Sequence, residues 1–418
     1  MIDFERFTLK NGLTLIVHKD DSTPIVAVNV LYKVGSRNES ADKTGFAHLF
    51  EHLMFGGSVN IPSYDQPLEK AGGENNAFTS NDITNYYITL PKENIETAFW
   101  LESDRMLNLA FSEKSLEVQR QVVIEEFKQS YLNQPYGDVW LLLKPLAYKH
   151  HPYQWNTIGK EIKHIEDARI EDVKAFYKKH YNPNNAILVV AGNVESAEIL
   201  ALTEKWFGGI PAGNLAVEEF SQEPEQNEKR FLEVQRNVPV DALYKAFHMA
   251  NRGSRDYYIA DLLSDILSNG NSSRLYRKLI KEDGVFSELN AYITGDFDPG
   301  LFVISGKPAE KISLEQAEKR LEEQFELLKN ELVSEDELQK VKNKMEANHI
   351  FSETNILNKA INLAISESLG DINLINTEKE IYASIQADEI RKLAKTLFRS
   401  INSSTLFYRS NTQAHVNQ

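Results

Sequence analysis

Apolar and polar residues alternate with a period of two at the start of the chain, in Phe7-Thr8-Leu9-Lys10 and again in Leu13-Thr14-Leu15-Ile16-Val17. Asn11-Gly12 between these runs predicts a β-hairpin, because both residues tolerate the left-handed backbone that a tight turn needs. Ile25 to Tyr32 predicts a further strand. From about Gly45 to Phe55 the spacing becomes helical, and Gly56-Gly57 follows as a C-terminal stop. Helices are also predicted from about Lys92 to Leu109 and over 113–130.

One unit of this pattern occurs twice. The helix Ile170-Glu171-Asp172-Val173-Lys174-Ala175-Phe176-Tyr177 is followed by the turn Asn182-Pro183-Asn184-Asn185 and the strand Ala186-Ile187-Leu188-Val189-Val190. About half a chain later, the helix Ala387-Asp388-Glu389-Ile390-Arg391-Lys392-Leu393 precedes Asn402-Ser403-Ser404 and the strand Thr405-Leu406-Phe407-Tyr408. A weaker match links Leu31-Tyr32-Lys33, with its helix ending Gly56-Gly57, to Leu243-Tyr244-Lys245, with its helix ending Asn269-Gly270. The repeat predicts an α+β chain of two homologous tandem domains, each a mainly antiparallel sheet packed with helices. The expected boundaries are 1–210, a joining segment 211–229 that is polar and acidic, and 230–418.

Composition narrows the function. At 418 residues the chain suits two domains of roughly 200 each, and an apolar fraction of 42% supplies their cores. A net charge of -15 argues against a general nucleic-acid binder. With no cysteine, thiolate nucleophiles and Cys-ligated zinc are excluded, which leaves His and carboxylates as metal ligands. No stretch is long and apolar enough to span a membrane. The N-terminus lacks the pattern of a signal peptide. A cytoplasmic location is therefore expected, or a periplasmic one if a signal peptide has been removed.

The candidate chemistry lies in Gly45-Phe46-Ala47-His48-Leu49-Phe50-Glu51-His52-Leu53-Met54-Phe55. On a helix His48 and His52 stand one turn apart on one face, where two imidazoles can hold one zinc ion. Positions remain for a third ligand and a water, whose pKa zinc lowers toward neutrality. Glu51 projects toward the same face, placed to take a proton from that water rather than to bind the metal. The spacing H-x-x-E-H is the inverted form of the zincin motif. The competing reading is a pair of histidines on a half-buried helix, satisfied by carboxylates. A third ligand is expected from the helix containing Glu125-Glu126. Val122, Val123 and Phe127 are expected to mark its buried side, and periodicity leans to Glu126, with Glu125 read as a solvated charge.

These residues resemble the insulinase/pitrilysin family of inverted zinc metallopeptidases, in its half-length branch related to mitochondrial processing peptidase. The resemblance runs through Gly72-Gly73, Asn76-Ala77-Phe78-Thr79, Val122-Val123-Ile124-Glu125-Glu126, His151-Pro152-Tyr153, Thr157-Ile158-Gly159, Tyr181-Asn182-Pro183-Asn184-Asn185-Ala186 and Asn271-Ser272-Ser273-Arg274-Leu275-Tyr276. It implies Zn2+ held by His48, His52 and Glu126, with Glu51 as general base. It also implies that Asn76, Ala77, Phe78 and Thr79 form an edge strand pairing with the backbone of peptide substrates.

The chain departs from the family in two ways. Gln119 stands where the family has a second Glu, and Ile280 and Ser287 stand where active members carry an Arg and a Tyr that contact the substrate. Arg274, Arg277 and Tyr292 are the alternatives for that role. Asp261, Ser264 and Asp265 lie roughly where the first half has its metal motif. The expectation is a zinc endopeptidase acting on peptides or small unfolded polypeptides. Its partner would be a homologous subunit that lacks the zinc motif and supplies the Arg/Tyr pair (a heterodimer), or a second copy of itself (a homodimer). The alternatives are a non-catalytic structural subunit of the same fold and a precursor-processing peptidase.

Overall fold

The computed structural model describes residues 1–215 and 219–411. Residues 216–218, within the expected joining segment, and residues 412–418 lie outside them. The chain forms two compact units, each built on one sheet with helices. The first sheet contains β1 (Glu5–Thr8), β2 (Thr14–Lys19), β3 (Ile25–Tyr32), β4 (Glu74–Thr79), β5 (Thr84–Pro91) and β6 (Ala186–Gly192), ordered β1-β2-β6-β3-β5-β4. The second contains β7 (Arg230–Arg236), β8 (Ala242–His248), β9 (Phe286–Ile293), β10 (Leu301–Pro308) and β11 (Ser403–Ser410), ordered β7-β11-β8-β10-β9. The run β2-β6-β3-β5-β4 matches β7-β11-β8-β10-β9 strand for strand: one parallel pairing, then three antiparallel ones. This is the duplication that the repeated helix–turn–strand predicts.

Among the helices, α1 (Phe46–Leu53), α2 (Glu113–Phe127), α3 (Val139–Ala147) and α4 (Ile170–His180) come from the first half of the sequence. From the second half come α5 (Arg255–Ser268), α6 (Ile356–Ser368) and α7 (Ala387–Leu397). Helix α4 leads into β6 and α7 into β11, at equivalent places in the two repeats.

The units do not divide at a single joining segment. The first comprises Met1–Lys128, Trp155–Phe220 and Ile350–Asn376; the second comprises Gln129–Gln154, Ser221–His349 and Thr377–Gln418. Helix α6, from the second half, therefore packs on β3 and β6 of the first sheet, while α3, from the first half, packs on β7, β8 and β11 of the second. Since β3 corresponds to β8 and β6 to β11, the exchange is reciprocal.

This packing explains the composition of the central strands. Six of the eight β3 residues, Ile25-Val26-Ala27-Val28-Asn29-Val30-Leu31-Tyr32, are aliphatic, and all but Ile25 are buried, as are all seven residues of β6. A strand covered on both faces has no polar side to show. The one polar residue in β3, Asn29, is paired reciprocally with Asn85 of β5 through amide hydrogen bonds of 2.9 and 2.8 Å.

Helix α6 buries Ala360, Leu363 and Ala364 completely and is tied down at one end by Lys359, whose Nζ donates to Asp20 Oδ2 at 2.5 Å. Burial pushes the Asp20 carboxyl up, but the hydrogen bonds from Lys359 and Ser22 outweigh it and hold the group well below its ordinary range. A carboxyl lowered in the folded state stabilises the fold fully above its unfolded value, near pH 4, and loses that contribution as the pH falls toward the folded value. Stability measured by urea unfolding is therefore expected to fall more steeply in wild type than in Lys359→Met between about pH 5 and pH 2. Parallel pH dependences would show that this pair does not hold the helix.

Candidate metal centre

Helix α1 starts at Gly45, whose φ of +88° lies in the left-handed region. A Cβ at this position would come within 2.7 Å of Ile158 O and 2.8 Å of Ile165 Cδ1, so only glycine fits. No side chain at Gly45 can cap the helix. The cap comes from Glu39, whose carboxylate accepts from Gly45 N at 2.9 Å and from Ala47 N at 2.8 Å. Burial pushes the Glu39 carboxyl up to about 8 against the opposing pull of these amides. The two donors are the orphan N–H groups of a helix start, enclosed away from water. Glu39→Ala is expected to cost about 2–6 kcal/mol, since each of the two buried groups left unsatisfied costs about 1–3 kcal/mol. Chemical denaturation will measure it, and a change below about 0.5 kcal/mol would mean that water replaces the carboxylate at no cost.

The apolar side of α1, made of Phe46, Ala47, Leu49, Phe50 and Leu53, is buried. Phe50 packs on Phe176 and Tyr177 of α4 and on the following Tyr181, with ring centroids 5.6, 5.8 and 4.4 Å away. Anchoring on this side leaves His48, Glu51 and His52 on the other.

There His48 Nε2 and His52 Nε2 are 3.3 Å apart. Glu126 Oε2, near the end of α2, lies 3.6 Å from the first and 3.5 Å from the second. Among the described residues, this is the one group of His, Cys, Asp or Glu side chains able to hold a metal ion. The triangle fits zinc: a tetrahedral ion with bonds of about 2.0–2.1 Å separates its donors by about 3.3–3.4 Å. Protonation also favours it. Burial pushes His48 down to about 4, so its ring is neutral and a lone pair is free at neutral pH. The hydrogen bond from His52 lowers Glu126, which keeps the carboxylate ionised.

Helix α2 is capped by Ser112, whose side chain accepts from Ser115 N at 3.0 Å. It is held in place by Arg120, which donates through Nε to Ile165 O at 3.2 Å and through Nη2 to Ala168 O at 2.5 Å. Val123 and Phe127 are buried as expected, and Ile124 is buried with them. Val122, expected on the same buried side, is instead 45% exposed and faces solvent. Glu126 nonetheless joins the histidines. Glu125 is exposed and paired with Lys128 at 2.7 Å. Gln119 is half-buried on α2.

Glu51 is half-buried next to the triangle, and its carboxyl is raised by burial, against the lowering effect of Thr79 and of nearby His52. Thr79 Oγ1 donates to Glu51 Oε2 at 2.5 Å. Asn76, Ala77, Phe78 and Thr79 lie on β4, the outer strand of the first sheet, which pairs with β5 alone in the register Asn76↔Tyr87 to Thr79↔Thr84. Asn76 Oδ1 accepts from Ala77 N at 2.8 Å.

Positions in the second unit follow a different chemistry. Ile280 packs against that unit's apolar core. Ser287, exposed on β9, donates to Lys307 O at 3.1 Å. Arg274 forms a two-pronged pair with Glu337 at 2.8 Å for both contacts. Arg277 is exposed, and Tyr292 is half-buried with its ring 6.5 Å from Trp140. On α5, Asp261 accepts from Tyr382 Oη at 2.6 Å, Ser264 Oγ donates to Asp261 O at 2.8 Å, and Asp265 accepts from Asn269 at 2.5 Å. Sequence reasoning missed the cap Glu39 and the Thr79–Glu51 contact. Neither leaves a periodic signal: Glu39 reaches the helix start across an irregular loop, and Thr79 lies 28 residues from Glu51 on another element.

Comparison with known proteins identifies the family of the chain. The family described as insulinase (peptidase family M16) matches residues 14–159, and the one described as peptidase M16 inactive domain matches residues 167–345. The zinc protease PqqE of Helicobacter pylori is 30% identical over 413 residues, covering 96% of this chain and 92% of that protein. The mitochondrial-processing peptidase subunit beta of Saccharomyces cerevisiae is 30% identical over 206 residues, 49% of this chain and 44% of that one. The crystal structure of a protease from Helicobacter pylori superposes with a TM-score of 0.93 at 29% identity, covering 98% of this chain and all of that one. Pitrilysin shares the fold, with a TM-score of 0.78 at 16% identity, over 98% of this chain but 45% of that one. The chain is a half-length member of the insulinase family of zinc peptidases, peptidase family M16.

Proposed function

We propose that this protein is a zinc-dependent endopeptidase that hydrolyses peptides or small unfolded polypeptides, with His48, His52 and Glu126 as metal ligands and Glu51 as general base. The observation that carries the reading is the triangle of donor atoms at 3.3, 3.5 and 3.6 Å with an unligated carboxylate beside it. His48, His52 and Glu126 would hold the zinc, which would supply Lewis acidity toward a carbonyl and lower the pKa of a water at the site. Glu51 takes the proton from the attacking water and passes it to the leaving amine, so one water is consumed for each peptide bond broken. The open edge of β4 suits an extended backbone. Main-chain pairing there accepts many sequences, because it ignores side-chain identity.

The catalytic set is read as completed by a homologous partner subunit. Ile280 and Ser287 cannot donate as Arg and Tyr do, and Arg274 is already engaged by Glu337. The match of 167–345 to a domain described as inactive fits a second half without its own chemistry, and relatives include a processing-peptidase subunit. A homodimer is the other arrangement. No helix among the described residues is long and apolar enough to cross a membrane, and a cytoplasmic location is part of the proposal.

The test is to assay the pure chain on a mixed library of quenched peptides, with and without a chelator. Chelator-sensitive cleavage supports a peptidase complete in one kind of chain. About one zinc per chain without cleavage, restored by adding a homologous subunit, supports the heterodimer. Neither zinc nor cleavage, alone or with the subunit, leaves the non-catalytic alternative.

A further inference from the structure

We propose that Thr79 is a positioning residue for Glu51, fixing the general base and linking its alignment to the strand that receives the substrate; this rests on the peptidase reading above. Glu51 projects from α1 on a side chain with three rotatable bonds, and a carboxylate on such a stem samples several rotamers unless something holds it. Thr79 Oγ1 holds it, donating to Oε2 at 2.5 Å. A carboxylate has two acceptor oxygens, so this contact occupies one and leaves Oε1 to take the proton from water.

The holder is itself rigid. Thr79 is the last residue of β4, registered opposite Thr84, whose buried hydroxyl donates to Val34 O at 2.9 Å. The turn between them is closed by Ser80 N donating to Ile83 O at 2.8 Å. Threonine is branched at Cβ, which restricts χ1 and so the direction of Oγ1. Side chains alternate along a strand, so Thr79 shares a face with Ala77 and turns its hydroxyl to the base while the outer edge of the strand stays open. A peptide pairing along β4 stiffens that strand and, through Thr79, the carboxylate. Binding energy gained away from the scissile bond is thereby used to order the catalytic group.

The test compares Thr79→Val, which keeps shape and branching but removes the donor, with Thr79→Ser, which keeps the donor. Four quantities are read for each: zinc content, kcat and KM on one quenched peptide, and the Glu51 carboxylate position in a crystal structure. Thr79→Val is expected to keep its zinc and its KM, to lose about 10–100-fold in kcat, a part of the about 10²–10⁴-fold that a positioned base supplies, and to show the carboxylate displaced. Thr79→Ser is expected to recover most of that loss and to show the carboxylate back in place. A change confined to KM would overturn the proposal in favour of a substrate contact. A serine variant as poor as the valine one would overturn it in favour of methyl packing. The crystal structures decide even if wild type shows no chelator-sensitive cleavage either alone or with a homologous subunit, a result that sinks the peptidase reading separately: a Glu51 unmoved in Thr79→Val sinks the positioning role.

Discussion

Glu51→Gln is expected to lower kcat by about 10²–10⁴-fold, the range for a positioned general base, while leaving KM and zinc content nearly unchanged. The amide keeps the size of the side chain and can still meet Thr79 Oγ1 through its carbonyl oxygen. It has lost the capacity to take a proton from water. Glu51 stands outside the triangle of donor atoms, so metal binding does not require its carboxylate as a donor. Kinetics and metal analysis on one preparation separate the possibilities. Loss of zinc together with activity would make Glu51 a ligand, and retention of activity would move the base elsewhere.

His52→Ala is expected to reduce bound zinc from about one per chain to a small fraction. The remaining pair, His48 and Glu126, offers two donors where a structural or catalytic zinc site uses three or four protein ligands. The loss of affinity should exceed the about 10–100-fold that changes to outer-shell partners cause. A thermal readout follows. Free zinc at about 100 times its dissociation constant adds about 2.7 kcal/mol to the folded state, so zinc should raise the melting temperature of wild type and leave His52→Ala unmoved. Glu125→Gln is the matched control, because that carboxylate faces solvent in an ion pair with Lys128. Loss of zinc in that variant instead of in Glu126→Gln would exchange the roles of the two acids.

What could be read from the sequence, and what could not, divides by whether a regular local period connects the residues. The spacing of His48, Glu51 and His52 carries its own geometry, since a helix places residues four apart on one face whatever surrounds it. The duplication was legible for a similar reason: strand directions and the helix before each closing strand repeat as local patterns. The third ligand was harder. Glu126 joins the histidines, yet Val122, counted as part of the buried side, is exposed, because α2 is covered along Val123, Ile124 and Phe127. The cap from Glu39, the bond from Thr79 to Glu51 and the packing of α6 on β3 and β6 join residues that no local period connects. They follow from tertiary structure, where the choice of partner is decided by burial and shape.

The reciprocal exchange of α3 and α6 has a consequence for how the protein is made. The ribosome finishes α1, α2 and every strand of the first sheet by Gly192, but α6, which packs on β3 and β6, begins only at Ile356. At about 5–20 residues per second, a nascent chain waits roughly 8–30 s with that aliphatic surface incompletely covered, although His48, His52 and Glu126 have already emerged. The N-terminal half is therefore expected to expose that surface until the second half supplies its missing helix, and a chain interrupted between the repeats is expected to aggregate or be degraded.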